Sequence, residues 1–382
     1  MINEERRKLQ LEALDALRAN NFQGIIILPT GTGKSYVLIE ALKELYKPGM
    51  RVLYTCDSIR LRDTDFDKEL EKWDAQEYSP LIEKECYASA YKYEGRHYNI
   101  LLADEGDYGL TPSYSRLFTE NTFDHIIFVS ATLEAKKRKI AKDIAPIVYE
   151  RKLKEIEENK VVNKSQFYYV PYLLNEKENA QYLEYNKRFH HLIMEHSPQA
   201  EQRLKFLTFE RLHFLASLES SAYICRELMK DLYNKDSKSK ILIFCGVTEQ
   251  ADKVCKYSYH TKNQAEGNLD KFNEGLIQAC AVCGKVDRGI NIDGVNVAIM
   301  ENVTGSETKM IQKLGRGKRL GVDDILGVYF LVPYYKQFKM NRLTQLPTII
   351  LSKIQKACRN MGIENAKTYI LKLGDGKSGD SI

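Results

Sequence analysis

Ile25-Ile26-Ile27-Leu28-Pro29-Thr30-Gly31-Thr32-Gly33-Lys34-Ser35 decides how this chain is read: an apolar run, a turn rich in glycine, and then the amphipathic stretch Val37 to Leu45. The order is strand, turn, helix. Glycines let the backbone bend tightly enough for successive N–H groups to face one point, and the first turn of the helix adds its positive dipole end, so the segment cradles phosphate. Thr30, Gly31, Thr32 and Gly33 form the wrap of that cradle, Lys34 reaches the β- and γ-phosphates, and the Ser35 hydroxyl is placed to ligate Mg²⁺. Leu28 stands where the commonest form of such a loop has its first glycine.

Bulk properties bound the rest. At 382 residues the chain can fill two domains with full cores. The opening Met1-Ile2-Asn3-Glu4-Glu5-Arg6-Arg7-Lys8 has no apolar leader, and no apolar run approaches the ~20 residues of a membrane span. A cytoplasmic protein with no membrane partner is expected. Eight cysteines lie mostly in apolar or helical stretches. The one C-x-x-C, Cys280 and Cys283, falls in a run that reads as a buried strand, with no second pair or neighbouring histidine to complete a tetrahedral site. His190, His191, His196 and His213 read as surface or packing residues. The net charge of +5 is unevenly spread: from Tyr334 to Ile382 nine Lys and Arg face three acids. A second basic cluster, Lys136-Lys137-Arg138-Lys139 with Lys142, follows Ser130-Ala131-Thr132. Each is either a solvated helix face or a footprint for a phosphate backbone.

Two further strands end in chemistry. Asn99 to Ala103 is apolar and runs into Asp104-Glu105-Gly106-Asp107. Acids at the carboxyl end of a strand stand where an open α/β sheet binds ligands, so Asp104 can hold Mg²⁺ and Glu105 can polarise an attacking water. Phe123 to Val129 is a second strand, ending in Ser130-Ala131-Thr132.

Taken in order, these segments resemble the superfamily 2 helicases of the DEAD/DEAH-like kind, nearest the group of type III restriction-subunit, XPB and phage branch-migration helicases. P-T-G-T-G-K-S resembles motif I, D-E-G-D motif II with glycine in its third place, and S-A-T motif III, whose hydroxyls Ser130 and Thr132 would couple motif II to domain movement. Arg7-Lys8-Leu9-Gln10, entering an amphipathic helix, resembles the R-x-x-Q opening in which the glutamine, here Gln10, reads adenine. Arg51 to Arg60 is similar to motif Ia; Ser58 and Arg60 are phosphate donors there, or else a helix cap and a surface charge. Lys240 to Thr248 resembles motif IV, with Gly246 in its turn. Asp287-Arg288-Gly289-Ile290-Asn291 resembles motif V, with Asn291 in place of the usual aspartate, so a contact to the nucleotide keeps its acceptor and loses its charge. Gln312-Lys313-Leu314-Gly315-Arg316-Gly317-Lys318-Arg319 resembles motif VI, in which Gln312, Arg316 and Arg319 would act on the γ-phosphate.

The resemblance spans roughly residues 7 to 320 and implies an α/β fold of two RecA-like parallel-sheet domains with ATP in a cleft between them. Alternating strand and helix patterns in both halves agree. Domain 1 is expected at 1–150, with the basic stretch around Lys136 to Lys160 as connector, domain 2 at 151–345, and a basic C-terminal segment at 346–382. Residues of about 176–235, strongly helical, form an excursion before motif IV. The implied activity is that of a monomeric ATP- and Mg²⁺-dependent helicase or translocase, with Arg288, Gly246, Ser58 and Arg60 on the nucleic acid and Gly289 and Asn291 near ATP. DNA is the favoured track. An RNA helicase of DEAD-box type, a duplex DNA translocase without strand separation, and a clamp that binds ATP without turnover are the alternatives.

Overall fold

The computed structural model describes residues 4–195, 197–263, 266–283, 292, 294–303, 324–337, 345–360 and 363–372. The chain separates into two compact units, the first built by residues up to Asn163 and the second beginning at Lys164.

The first unit opens with α1 (Glu4–Ala19), whose Leu9, Ala13, Leu14 and Leu17 recur at helical spacing and are buried. Glu4 and Glu5 lie at the positive end of its dipole and Arg18 at the negative end. There follow β1 (Gln23–Ile27), α2 (Lys34–Leu45), β2 (Val52–Cys56), α3 (Phe66–Lys72), β3 (Ile82–Cys86), α4 (Tyr87–Ala90), β4 (His97–Ala103), α5 (Arg116–Thr119), β5 (Thr122–Ser130), α6 (Ala135–Ile144), β6 (Ile147–Glu150) and α7 (Leu153–Glu158). The strands make one six-stranded parallel sheet in the order β3-β2-β4-β5-β1-β6. Helices cover both faces, which is why the strands read as continuous apolar runs. The pleat sends Ile26, Tyr54, Leu102 and Val129 into one core and Ile25, Ile27, Leu53, Leu101 and Phe128 into the other. The carboxyl ends of β1, β4 and β5 therefore lie side by side, and they carry the three signature segments.

The stretch read from sequence as a connector belongs to this unit. β6 adds to the edge of β1, and Ile156, Val161 and Val162 are buried in the core beside α1. The Arg6 guanidinium donates to the Val161 carbonyl at 3.3 Å. Charge pattern alone hides this, because the apolar residues that anchor the segment are scattered between its lysines.

The second unit runs β7 (Lys164–Leu173), α8 (Glu176–Glu195), α9 (Pro198–Leu215), α10 (Glu219–Lys235), β8 (Ile241–Cys245), α11 (Thr248–Val254), β9 (Ser258–Tyr259), α12 (Asn268–Asn273), β10 (Ala279–Cys283), β11 (Val297–Met300) and β12 (Ile325–Tyr334), then a C-terminal helix (Gln345–Asn360) and β13 (Lys367–Thr368). Its seven-stranded sheet is again parallel, ordered β13-β7-β12-β11-β8-β10-β9. The helical excursion is the trio α8, α9, α10. α9 starts with Pro198 in its first turn, and the Ser197 hydroxyl accepts the Ala200 N–H at 3.0 Å. The C-terminal helix buries Ile350, Ile354, Ala357 and Cys358, and β13 extends the sheet alongside Tyr168 and Tyr169 of β7. Among the described residues no helix is long and apolar enough to cross a membrane.

Candidate ATP site

The loop after β1 is tied down before it turns. Leu28, in the place of a first glycine, is fully buried in the core, and its N–H donates to the Ser130 carbonyl at the end of β5 at 3.0 Å. The Thr32 hydroxyl then donates back to the Pro29 carbonyl at 2.8 Å. Gly33, with φ +86°, ends the loop in a left-handed conformation that a side chain rarely adopts, and α2 begins at Lys34. Thr30, Gly31 and Ser35 are half-buried at the mouth of this turn.

Gln10 reaches the same loop from α1. Its amide nitrogen donates to the Thr32 carbonyl at 2.9 Å, and a Cβ on Gly33 would stand 2.2 Å from that nitrogen. The residue is buried, yet its Oε1 has no hydrogen-bond partner among the described residues. A buried acceptor left open beside a phosphate loop suits a ligand that brings a donor, as the exocyclic amine of adenine does.

Motif II supplies the acids. Asp104 follows β4 directly and is buried; one carboxylate oxygen takes the Glu105 N–H at 2.9 Å and the other the Tyr54 hydroxyl at 3.3 Å. Tyr54 is held by Phe66, the two rings stacked with centroids 3.7 Å apart. Burial first, and the neighbouring Glu105 carboxylate second, push the Asp104 carboxyl up to about 7, against the pull of Lys34. Glu105 sits at φ +44°, an uncommon conformation for a residue with a side chain. That twist turns its carboxylate toward Lys34, with Nζ and Oε1 3.6 Å apart, and leaves Oε2 buried without a hydrogen-bond partner among the described residues. The third position is glycine for a local reason: a Cβ on Gly106 would stand 2.4–2.6 Å from three atoms of the Phe128 ring.

Motif III touches motif II. The Ser130 hydroxyl lies 3.0 Å from Asp107 Oδ1 and 2.8 Å from the Thr132 carbonyl, and the Thr132 hydroxyl is buried with no partner among the described residues. Lys137 reaches the same carboxylate at 3.2 Å and the Asp107 carbonyl at 2.6 Å. Burial, then Glu105, raise the Asp107 carboxyl above the usual range; Lys137 and Ser130 oppose the shift. In sequence Lys137 is legible only as part of a basic cluster. With Arg138 paired to Glu150, two of that cluster's cations turn to internal partners.

Of the candidate nucleic-acid residues, Ser58 accepts the Leu61 N–H at 3.4 Å, capping the turn after β2, and Arg60 lies 3.5 Å from Asp65. Gly246 follows β8 with Asn302 and Ala216 packed close behind its Cα. Arg288, Gly289, Asn291, Gln312, Arg316 and Arg319 lie outside the described residues. Cys283 pairs in register with Cys245, buried like Cys280. Among the described residues no group of three or more His, Cys, Asp or Glu could hold a metal.

The family described as type III restriction enzyme, res subunit, matches residues 3–194, half of the chain. The chain belongs to this family. The helicase conserved C-terminal domain matches residues 222–321, so the res-subunit homologue is an ATP-dependent helicase or translocase of superfamily 2 that acts on nucleic acid. The DNA 3'-5' translocase XPB2 of Sulfurisphaera tokodaii is 24% identical over 352 residues, covering 82% of this chain and 78% of that protein. The ATP-dependent RNA helicase DBP2 of Pyricularia oryzae is 26% identical over 124 residues, 29% of this chain and 23% of that one. Among solved structures, S. cerevisiae Dbp5 bound to RNA and ADP BeF3 superposes with TM-score 0.62 at 15% identity, covering 95% of this chain and 90% of that chain. The type ISP restriction-modification enzyme LlaBIII bound to DNA gives TM-score 0.61 at 12% identity, over 100% of this chain and 32% of that chain. These likenesses identify both parallel sheets as RecA-like.

Proposed function

We propose that this res-subunit homologue is a DNA-directed motor, monomeric, that hydrolyses ATP with Mg²⁺. The observation that supports the ATP reading best is the convergence of Gln10, Lys34, Asp104 and Glu105, drawn from α1, the start of α2 and the turn after β4, on one loop mouth. Gln10 Oε1 accepts from adenine, the amides of Thr30 to Gly33 wrap the phosphates, and Lys34 exchanges Glu105 for the β- and γ-phosphate oxygens. The donor set fits a divalent cation whose remaining ligands are phosphate and water: the Ser35 hydroxyl and the Asp104 carboxylate would hold it. Bound there, Mg²⁺ supplies neutralising charge for the transferring phosphoryl group. Glu105 Oε2 takes a proton from the water that attacks the γ-phosphorus as the bond to ADP breaks, and Gln312, Arg316 and Arg319 answer the charge that develops. Ser130, touching Asp107, carries the state of motif II to motif III, where Thr132 follows.

DNA rather than RNA is favoured by the res-subunit match and by the likeness to a DNA translocase along four-fifths of the chain. The experiment is ATP turnover measured with single-stranded DNA, duplex DNA and RNA of matched length. Stimulation by DNA well above that by RNA is expected. Stimulation by RNA alone would assign the motor to RNA, and ATP binding without turnover on any of the three would make it a clamp.

A further inference from the structure

The hairpin of α8 and α9 carries a surface that the ATP site does not use. The two helices run antiparallel, tied by Arg188 to Glu210 at 3.6 Å, Arg203 to Glu195 at 3.8 Å, and Tyr185 against Phe214 with centroids 5.4 Å apart. Along one side opens a groove of about 1060 Å³, lined by Lys187 and His191 from α8 and by Gln199, Gln202, Phe206 and Phe209 from α9. The four α9 residues are spaced by three and four, so they share one face of the helix. Phe206 and Phe209 are 67% and 75% exposed, although rings of that size normally sit in a core. Lys187, Arg188, Arg203 and Lys205 also border the groove, with no acid among its described lining residues. Arg188 and Arg203 are occupied by the acids that tie the hairpin; Lys187 and Lys205 have no acidic partner among the described residues.

We propose that this groove binds a single-stranded segment of the DNA on which the motor acts, with bases stacked on Phe206 and Phe209 and phosphates neutralised by Lys187 and Lys205. The proposal rests on the reading of the protein as a DNA motor. Exposed rings alone would suit many partners. Rings bordered by cations and by two amide side chains, with the nearby Glu195 and Glu210 taken up by Arg203 and Arg188, match a ligand that is aromatic, polar at its edges and anionic along its backbone. Side chains one helical turn apart lie about 5–6 Å from each other. That exceeds the ~3.4 Å repeat of a stacked strand, so the rings receive bases already drawn apart. A duplex, with its bases stacked and paired, offers the rings nothing.

The test uses the whole chain and two variants, F206A/F209A and K187Q/K205Q. Binding of a labelled oligo-dT strand and of a blunt duplex of the same length is followed by fluorescence anisotropy. Because both rings are largely exposed, F206A/F209A should fold and keep its basal ATPase. It should lose about tenfold or more in affinity for the strand while its affinity for the duplex changes less than about twofold. K187Q/K205Q should flatten the plot of log affinity for the strand against log salt by about 0.7 for each phosphate no longer neutralised. Strand binding equal to wild type in both variants, or equal losses on strand and duplex, overturns the groove while leaving the DNA motor intact. A wild-type protein that binds neither probe removes the DNA reading and the groove with it. Unchanged strand binding together with self-association that F206A/F209A abolishes would give the face to a second copy of the chain.

Discussion

Replacing Gly106 with alanine restores the commoner spelling of motif II, and this protein should be damaged by it. The alanine Cβ would lie 2.4–2.6 Å from three atoms of the Phe128 ring, about 1 Å or more inside the usual carbon separation of about 3.5–4.0 Å. Phe128 is fully buried and backed by Phe118, centroids 6.2 Å apart, so the ring has nowhere to retreat without moving β5. Overpacking of this kind costs about 1–3 kcal/mol. The reduced freedom of the unfolded chain returns only about 0.4–1 kcal/mol. The net loss is about 0–2.6 kcal/mol, so the melting temperature of G106A should fall by a few degrees, at most roughly 10 °C for a unit of this size. Turnover should fall as well, because Asp104 and Glu105 immediately precede the displaced backbone. The decisive measurement is a double-mutant cycle with F128L, followed by thermal melts and ATPase rate. Shrinking the ring should recover about 0.5–3 kcal/mol of the G106A loss as a coupling energy. Additive losses, or a G106A protein with wild-type melting and turnover, would refute the steric account of this glycine.

Glu105→Gln should keep ATP bound, since Lys34 is released from its ion pair, and should lower turnover by on the order of 10²-fold or more; single-turnover kinetics retaining over half the wild-type rate would remove Glu105 as the base. Gln10→Ala, which deletes both the open acceptor and the bond to the Thr32 carbonyl, should raise the KM for ATP on the order of tenfold and that for GTP far less. Equal shifts for the two nucleotides would restrict Gln10 to supporting the loop. Ser130→Ala should leave basal turnover within a few-fold and lower stimulation by nucleic acid, because it severs Asp107 from motif III; an unchanged stimulation ratio would sever the proposed link instead. Arg316→Ala or Arg319→Ala should abolish stimulated hydrolysis with ATP affinity held within a few-fold, as calorimetry with a non-hydrolysable analogue would report.

Much of the site is legible in sequence because its chemistry is local. A phosphate loop needs glycines next to a helix start, and catalytic acids need the end of a strand; both conditions are met within a few residues of chain, at Gly33-Lys34 and at Ala103-Asp104-Glu105. The helical excursion is legible for the same reason, since a stretch of about 176–235 with no glycine and a single proline, Pro198, reads as helical without reference to what it packs against, and the structure divides it into three helices. Charge is a poorer guide. Lys137 and Arg60 look alike as letters, surface cations suited to a phosphate backbone, yet one reaches Asp107 and the other Asp65. A cation's partner is chosen by which carboxylate the fold brings within about 4 Å, and spacing along the chain does not encode it.

By itself the sequence determined the strands that carry the signature segments, the glycine-rich turn after β1, and the kind of chemistry open to acids at a strand end, because these follow from residue type and short-range period. Tertiary structure alone decided that Gln10 meets Thr32 across 22 positions, that Phe128 forbids a side chain at Gly106, and that residues 151–163 close the first unit. It also decided that β13 returns to β7 from almost 200 residues away. The physical reason is shared by all four: a parallel sheet sets its neighbours by crossover connections, so contacts at its edges and strand ends join segments whose letters carry no mark of each other.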